Sequence, residues 1–308
     1  MKRTKITDRI TYIEPSSMSS FKSCAGVIVS GAQKILIDTN MGPEDTPSLL
    51  QSERPDAAVI SHYHVDHSAW GALVEQYTDA QLFVPKGEEQ YLSDFAYLIE
   101  KTAGPCGLIR EWTDFVRNVT GFREMKQCSL YADADMFSSG SLPIECIPAP
   151  GHSPSHMSFY FPDEKILFTG DMGTDRFGPW YGWTDCSILQ LIASILKLRE
   201  LPTDLLLTSH GGIIKGSEIR DIWNTGLKQI MEREQRIRKD LDSGADKSGI
   251  VENGIFFFHK SKVKEPLRTF LYMWDSFMFD HHKSLLEDGG IIRFFPELKE
   301  IAYGQDAR

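Results

Sequence analysis

The hexapeptide His-Tyr-His-Val-Asp-His at residues 62–67 places three imidazoles and one carboxylate close together. Nitrogen and oxygen ligands of this kind suit zinc, and also manganese or iron. If the chain is extended here, His62 and His64 project the same way, because side chains alternate along a strand. The side chains of Asp66 and His67 must point in a different direction once a helix begins. The motif therefore predicts two adjacent metal ions rather than one.

The residues around this motif predict the element that holds it. Residues 56–61 form an apolar run after Pro55, which is typical of a buried strand. Residues 68–74 are typical of the start of a helix. The motif is therefore expected on a strand-to-helix turn, where a rigid scaffold can direct side chains into a cleft.

Two metals need further ligands, and three later segments offer them. His152 stands in Ala-Pro-Gly-His-Ser-Pro-Ser-His, after an apolar strand at residues 144–147. Asp171 ends the segment Ile-Leu-Phe-Thr-Gly-Asp, and His210 follows the run Leu-Leu-Leu-Thr-Ser. Four predicted strands thus each deliver ligands from their carboxyl ends.

These four motifs, His-x-His-x-Asp-His, Pro-Gly-His-Ser-Pro-x-His, Phe-Thr-Gly-Asp and Ser-His-Gly-Gly, resemble the metallo-β-lactamase superfamily in order, context and spacing. The resemblance covers residues 8–215 and is nearest to hydrolases of the glyoxalase II type. It implies two divalent metal ions, most often zinc, with iron or manganese as alternatives. The implied ligands are His62, His64 and His152 for the first metal, Asp66, His67 and His210 for the second, and Asp171 as the bridge.

Two departures from relatives narrow the function. Zinc β-lactamases carry a second-site cysteine, and none of the five cysteines here falls in a ligand motif, so antibiotic hydrolysis is not expected. Flavin-linked diiron reductases carry a glutamate where His64 stands, and an imidazole suits hydrolysis better. The second histidine of the Pro-Gly-His motif, His156, is expected to support a neighbour through hydrogen bonds rather than to bind metal.

The expected chemistry is hydrolysis by a hydroxide that bridges the metals, since two close cations lower the pKa of water. Asp66 is the candidate catalytic residue, because it can orient that nucleophile as well as bind metal. The expected substrate is a carboxyl ester, thioester or lactone with an apolar part. Two alternatives remain open: a phosphodiesterase or nuclease of the same fold, and a non-hydrolytic diiron or regulatory metal-binding protein.

Residues 175–183 directly follow the bridging aspartate and are expected to line the cleft. Within them Arg176, Trp180 and Tyr181 are the candidate substrate-binding residues. Arg176 can pair with a substrate anion, or merely with a neighbouring aspartate. Tyr181 can donate a hydrogen bond to a substrate oxygen.

Composition agrees with a folded enzyme acting on a small molecule. The net charge of −10 disfavours nucleic acid, which needs clustered lysines and arginines. No stretch approaches the ~20 apolar residues of a membrane span. The five cysteines stand in unrelated contexts, and no apolar signal region follows the amino terminus. These features predict a cytoplasmic protein with reduced thiols. The sequence does not indicate an oligomeric state.

The order of elements predicts an α+β fold, an αββα sandwich of two packed sheets with helices outside. Residues 1–217 would form this metal-binding catalytic domain, and residues 218–308 a C-terminal, mainly helical extension. The extension should contain a helix over 218–242, a loop over 244–254 and a helix over 266–287. The broad apolar face of the last helix either packs on the sandwich or covers the metal cleft.

Overall fold

The computed structural model describes residues 1–17, 21–133, 135–140 and 142–303, without the side chains of the last two. Thirteen strands form two sheets within these residues. The strands are β1 (Lys2–Lys5), β2 (Ile10–Glu14), β3 (Gly26–Val29), β4 (Ile35–Ile37), β5 (Ala57–Val59), β6 (Gln81–Pro85), β7 (Ser129–Tyr131), β8 (Met136–Ser138), β9 (Pro143–Pro148), β10 (Met157–Phe161), β11 (Ile166–Phe168), β12 (Leu205–Leu207) and β13 (Ile213–Lys215).

Twelve α-helices surround the sheets in the same part of the chain. They are α1 (Asp45–Glu53), α2 (Val65–Ser68), α3 (Ala72–Tyr77), α4 (Glu89–Ser93), α5 (Phe95–Ala103), α6 (Ile109–Phe115), α7 (Ile188–Arg199), α8 (Glu218–Asp242), α9 (Lys247–Asn253), α10 (Leu267–Glu287), α11 (Ile291–Phe294) and α12 (Lys299–Tyr303). A π-helical turn, Val116–Thr120, continues α6. None of the described helices is both long and apolar enough to cross a membrane.

The first sheet has the order β1-β2-β3-β4-β5-β6-β7, and the second has the order β13-β12-β11-β10-β9-β8. The pairs β4–β5, β5–β6, β6–β7 and β11–β12 are parallel, while the other neighbours are antiparallel. A core between the sheets joins Tyr12 and Val27 of the first to Phe159, Phe168 and Leu207 of the second. The sandwich predicted from the sequence is therefore confirmed.

Two local predictions were wrong in detail. The helix after the histidine cluster begins at Val65, and residues 69–71 interrupt it before α3. Gly71 has a low helix propensity, and its N–H donates to the Ser68 carbonyl at 2.8 Å, closing a tight turn. The stretch predicted as a loop over residues 244–254 contains α9. Asp246 caps that helix by accepting the N–H of Gly249 at 2.8 Å.

Candidate metal centre and active site

The metal-ligand candidates all stand just beyond strand ends. His62 follows β5, His64 is the N-cap of α2, and Asp66 and His67 lie within that helix. The other three follow strands of the second sheet, with His152 after β9, Asp171 after β11 and His210 after β12. Both sheets present these ends to the same place, so residues far apart in sequence converge.

Three imidazole nitrogens meet in a first cluster. His152 Nε2 lies 2.8 Å from His64 Nδ1 and 3.2 Å from His62 Nε2. Ligand nitrogens of one tetrahedral zinc ion, each bound at about 2.0–2.1 Å, lie about 3.3 Å apart. The cluster therefore has nearly the spacing that a single ion requires.

Neighbours outside the first cluster orient two of these rings. His152 Nδ1 donates to the Trp180 carbonyl at 2.9 Å. The Ser61 hydroxyl donates to Asp38, so its oxygen can accept from His62 Nδ1 at 3.0 Å. Each bond places the ring proton on the outer nitrogen and leaves Nε2 with a free lone pair. Second contacts of this kind are typical of metal-binding histidines.

A second cluster consists of Asp66, His67, Asp171 and His210, with ligand atoms all within 4.8 Å of one another. Asp66 Oδ2 lies 3.2 Å from His210 Nε2 and 3.7 Å from His67 Nε2. The Nε2 atoms of His67 and His210 are buried and have no hydrogen-bond partner. Buried nitrogens that lie beside carboxylates and have no hydrogen-bond partner fit a cation-binding site.

Asp171 lies between the two clusters. Its Oδ2 is 3.4 Å from His152 Nε2 in the first and 3.8 Å from His210 Nε2 in the second. Burial alone would raise the pKa of Asp171, but the surrounding imidazoles lower it to about 2. The carboxylate is therefore ionised and within reach of both clusters.

Burial and mutual repulsion hold the pKa values of His62 and His64 well below the ordinary range. Both rings are thus neutral, the form that binds metal. His210 behaves oppositely. Burial would lower its pKa, but the Asp66 carboxylate, 3.2 Å away, and the charge of Asp171 raise the pKa to about 9. The carboxylates of the second cluster therefore favour a positive charge at this position.

Sequence reasoning missed Asp38, which follows β4 and is fully buried. Its Oδ2 accepts from His67 Nδ1 at 2.9 Å, and its two oxygens accept from the Ser61 N–H and hydroxyl. Its φ of 58° is left-handed, a conformation that aspartate tolerates better than most residues. The signal was an acidic residue at a fifth strand end, on the strand that precedes the histidine motif in the sequence.

Glu88 was also missed, because its ligand-orienting role depends on long-range contacts. It is fully buried, and Oε2 accepts the N–H of Tyr63 at 2.7 Å. Oε1 accepts the Ser153 hydroxyl at 2.6 Å and the Ser155 N–H at 2.8 Å. Burial raises its pKa to about 7. Glu88 thus joins the loop carrying His62 and His64 to the loop carrying His152.

Cys24 lies beside Asp38 and His67, with its sulfur within 4.8 Å of their ligand atoms. Burial, and next the charge of Asp38, raise the pKa of this thiol well above its usual range. Since His67 Nδ1 already donates to Asp38, this third group supports the second cluster rather than forming another.

His156 supports Asp171, since its Nε2 accepts the backbone N–H of Asp171 at 3.0 Å. The residue before Asp171 must be small. Gly170 has a φ of 60°, and a Cβ there would lie 2.5 Å from His156 Nε2. Gly151, which precedes His152, has a φ of 125°, and its Cβ would meet the Leu191 backbone nitrogen at 2.2 Å. Both glycines therefore let ligand loops pack closely.

The two clusters form the floor of a cavity of about 530 Å³. Its walls are mainly aromatic and aliphatic, and no lysine or arginine is among the described residues that line it. The apolar lining comprises Phe21, Val65, Leu98, Trp112, Phe177, Trp180, Trp183, Phe256, Phe257, Phe258, Val263, Leu267, Leu271 and Trp274. We call this space the apolar chamber.

The three residues expected to bind substrate lie in different surroundings. Trp180 lines the apolar chamber, with its ring centre 5.5 Å from that of His64. Arg176 is exposed and lines an adjoining groove on the other side of His210. Tyr181 is fully buried outside the chamber lining, and its hydroxyl lies 2.9 Å from His282 Nε2 and 3.3 Å from Arg233.

The amino-acid sequence is similar to those of several known hydrolases. An atrochrysone carboxyl ACP thioesterase of Aspergillus aculeatus is 28% identical over 281 residues, which cover 86% of this chain and 76% of that protein. A hydroxyacylglutathione hydrolase of Bartonella henselae is 26% identical over 181 residues, 56% of each. The chain spans 56% and 52% of the length of two other thioesterases that it matches.

Solved structures agree on the fold. A beta-lactamase domain protein of Burkholderia ambifaria superposes with a TM-score of 0.73 at 15% identity, over 94% of this chain and 89% of that one. The model of the Metallo-beta-lactamase superfamily matches residues 22–210, more than half of the 308 residues. The chain therefore belongs to the metallo-beta-lactamase superfamily.

Proposed function

We propose that this protein is a dinuclear metal-dependent hydrolase of thioesters, carboxyl esters or lactones whose acyl part is apolar. The observation that carries the proposal is the pair of ligand clusters, with Asp171 between them, at the floor of the apolar chamber. The relatives named as a thioesterase and as a hydroxyacylglutathione hydrolase support hydrolysis, and favour a thioester within this group.

The ligand sets fit divalent metal ions. His62, His64 and His152 would hold one ion, while Asp66, His67 and His210 would hold the other, with Asp171 shared. Nitrogen and oxygen donors without a thiolate favour zinc and leave iron or manganese open. Ions bound there would act as Lewis acids and would bring the pKa of water towards neutrality.

The chain's own residues would position the reactants. Asp66 Oδ2, 3.2 Å from His210 Nε2, can accept a hydrogen bond from the attacking water and hold its lone pair towards the substrate carbon. Trp180 and the chamber walls would bind the acyl part and exclude water. A chamber without lysine or arginine in its described lining offers no counter-charge to a phosphodiester backbone, which disfavours the nuclease alternative.

The test combines metal analysis with matched substrates. It measures kcat/KM at constant metal content for four substrates that carry the same aryl group: a thioester, a carboxyl ester, a lactone and a phosphodiester. We expect the thioester to be the best substrate. A phosphodiester preferred by about tenfold or more would move the assignment to the nuclease class, and two redox-active irons without ester turnover would move it to the non-hydrolytic class.

The variant Asp66→Asn tests the role of the proposed catalytic residue with little change in side-chain size. The amide keeps the size of the carboxylate but loses its charge and one acceptor oxygen. We expect kcat to fall by about 100-fold or more in protein of unchanged metal content. Wild-type turnover at equal metal content would contradict the role of Asp66.

A further inference from the structure

One wall of the apolar chamber is a segment without helix or strand. Residues 254–259 connect α9 to a short 3-10 turn at Lys260–Lys262, and Phe256, Phe257 and Phe258 line the chamber. The ring centre of Phe257 lies 5.8 Å from that of Trp274. Because this segment has no neighbouring strand, its backbone N–H groups must find other acceptors.

Asp275 supplies those acceptors from α10. Its Oδ1 accepts the N–H of Phe256 at 2.9 Å and of Phe257 at 3.2 Å, while Oδ2 accepts the N–H of Ile255 at 3.1 Å. The side chain is fully buried and is not part of the chamber lining. Three consecutive backbone groups of the wall are thus held by one carboxylate.

Lys260 completes the arrangement from within the same segment. Its Nζ is fully buried, lies 2.7 Å from Asp275 Oδ2 and donates to the Phe257 carbonyl at 2.8 Å. Removing one member of such a buried pair leaves an uncompensated charge, so each of the two side chains stabilises the position of the other. Lys260 and Asp275 therefore fix the aromatic segment from both sides.

We propose that Asp275 and Lys260 are positioning residues that set the selectivity of the apolar chamber for the acyl part of the substrate. They act by fixing Phe256 and Phe257 in the chamber wall. The inference rests on the proposed function, since it assigns this wall to the acyl group. A bulky aryl acyl group would contact the wall, whereas an acetyl group at the metal centre would not reach it.

The kinetic test uses Asp275→Asn with two thioesters of N-acetylcysteamine, one acetyl and one 2-naphthoyl. The metal-loaded variant should raise KM for the 2-naphthoyl substrate by about tenfold or more, while kcat stays within about threefold. Its kcat/KM for the acetyl substrate should also stay within about threefold. Equal losses for both substrates, or no loss for either, would overturn the proposal.

Two further variants separate positioning from general destabilisation. Glu234→Gln is the matched control, because Glu234 is a buried carboxylate whose oxygens accept the N–H of Ile291 at 3.0 and 3.2 Å, away from the chamber. It should lower the melting temperature without changing the ratio of the two KM values. The double variant Asp275→Leu/Lys260→Met removes both charges and should keep the raised KM. Wild-type selectivity in that double variant would overturn the proposal.

A binding measurement distinguishes failure of this inference from failure of the proposed function. The neutral probe 2-acetonaphthone is titrated against metal-loaded protein, and quenching of tryptophan fluorescence gives its Kd. If no thioester is hydrolysed, the proposed function fails, but Asp275→Asn should still weaken probe binding by about tenfold. An unchanged Kd in the variant, or no binding to the wild-type protein, would overturn the positioning role.

Discussion

At the residue scale, hydrogen bonds to neighbouring residues decide which ring nitrogen of each site histidine carries the proton. His62, His67 and His152 each direct Nδ1 to an oxygen of the surrounding structure, at 2.9–3.0 Å. Their Nε2 atoms are thereby left with a free lone pair, as the proposed metal ligands require. This orientation of the rings lowers the entropic cost of forming the site and favours tight binding.

Metal content gives the first prediction. We expect about two ions per wild-type chain, because the proposed sites share only Asp171. His62→Ala should empty chiefly the first site, whereas Asp171→Ala should weaken both. Elemental analysis after dialysis against a weak chelator measures the result, with Glu234→Gln as a control that should keep both ions. A metal-replete wild-type protein that holds at most one ion would rule out the dinuclear assignment.

The buried His282 gives a prediction about pH. Burial, and next the charge of Arg233, lower its pKa to about 3, so the ring stays neutral while the unfolded chain takes up a proton near pH 6.5. The free energy of unfolding should therefore fall as pH drops below 6.5, by up to about 1.4 kcal/mol per pH unit. The loss should continue until the pH approaches the folded pKa.

His282→Gln is the comparison, because a glutamine carbonyl can replace Nε2 as the acceptor for the Tyr181 hydroxyl. Urea unfolding at several pH values between 7 and 4 should show a steeper loss in the wild-type protein than in the variant. Parallel curves for the two proteins would show that His282 has the same pKa in the folded and in the unfolded chain.

At the element scale, strands were easier to predict than the contacts they make. The ligand motifs were visible because each follows an apolar run, and because the first two bring closely spaced imidazoles. Asp38 was overlooked although it stands at a strand end, and Glu88 gives no local sign that it binds loops distant in sequence. Tyr181 was expected to bind substrate from its position alone. Its burial beside Arg233 and His282 depends on helices more than 50 residues away.

Two of the four tryptophans that line the apolar chamber, Trp274 and Trp180, differ in how their elements hold them. Trp274 is buried on α10, and its ring contacts Phe21, Trp112, Trp180 and Trp183. Trp274→Ala should therefore cost about 3–5 kcal/mol of stability, as expected for a large ring removed from a core. Chemical unfolding measures that loss.

Trp180 lies on a loop and is only partly buried. Trp180→Ala should keep the backbone carbonyl that accepts from His152, so the first ligand cluster should survive. We expect KM for an aryl thioester to rise more than kcat falls. A variant whose kcat falls while KM is unchanged would show that the ring orients His152 or His64 instead of binding substrate.

At the scale of the whole molecule, the boundary proposed near residue 217 does not divide the hydrophobic core. One cluster contains Trp183 and Leu191 from the first segment with Trp223, Phe270 and Trp274 from the second. We therefore predict a single cooperative unfolding transition. Calorimetry of the metal-free protein should give equal calorimetric and van't Hoff enthalpies. Two resolved transitions would show that the extension folds by itself.

The sequence could predict the sandwich and the clustering of ligands because both depend on periodic patterns and strand ends. The apolar chamber could be predicted only in part, since Phe177, Trp180 and Trp183 come from the stretch expected to line the cleft. Its other walls come from Phe21, Leu98, Trp112 and the segment at residues 256–274, which become neighbours only after the chain has folded. Apolar residues of this kind occur throughout any core, so their type alone does not identify the ones that face a cavity.

One part of the chamber wall comes from a later stretch of the chain than the metal ligands, and this has a consequence for protein engineering. Every proposed ligand lies between residues 62 and 210, whereas Phe256, Phe257, Leu267 and Leu271 belong to the later segment. A library randomised at those four positions alone would remodel the acyl pocket and leave the reactive centre intact. Natural lineages sharing this scaffold have the same freedom to diversify in substrate preference while inheriting one chemistry.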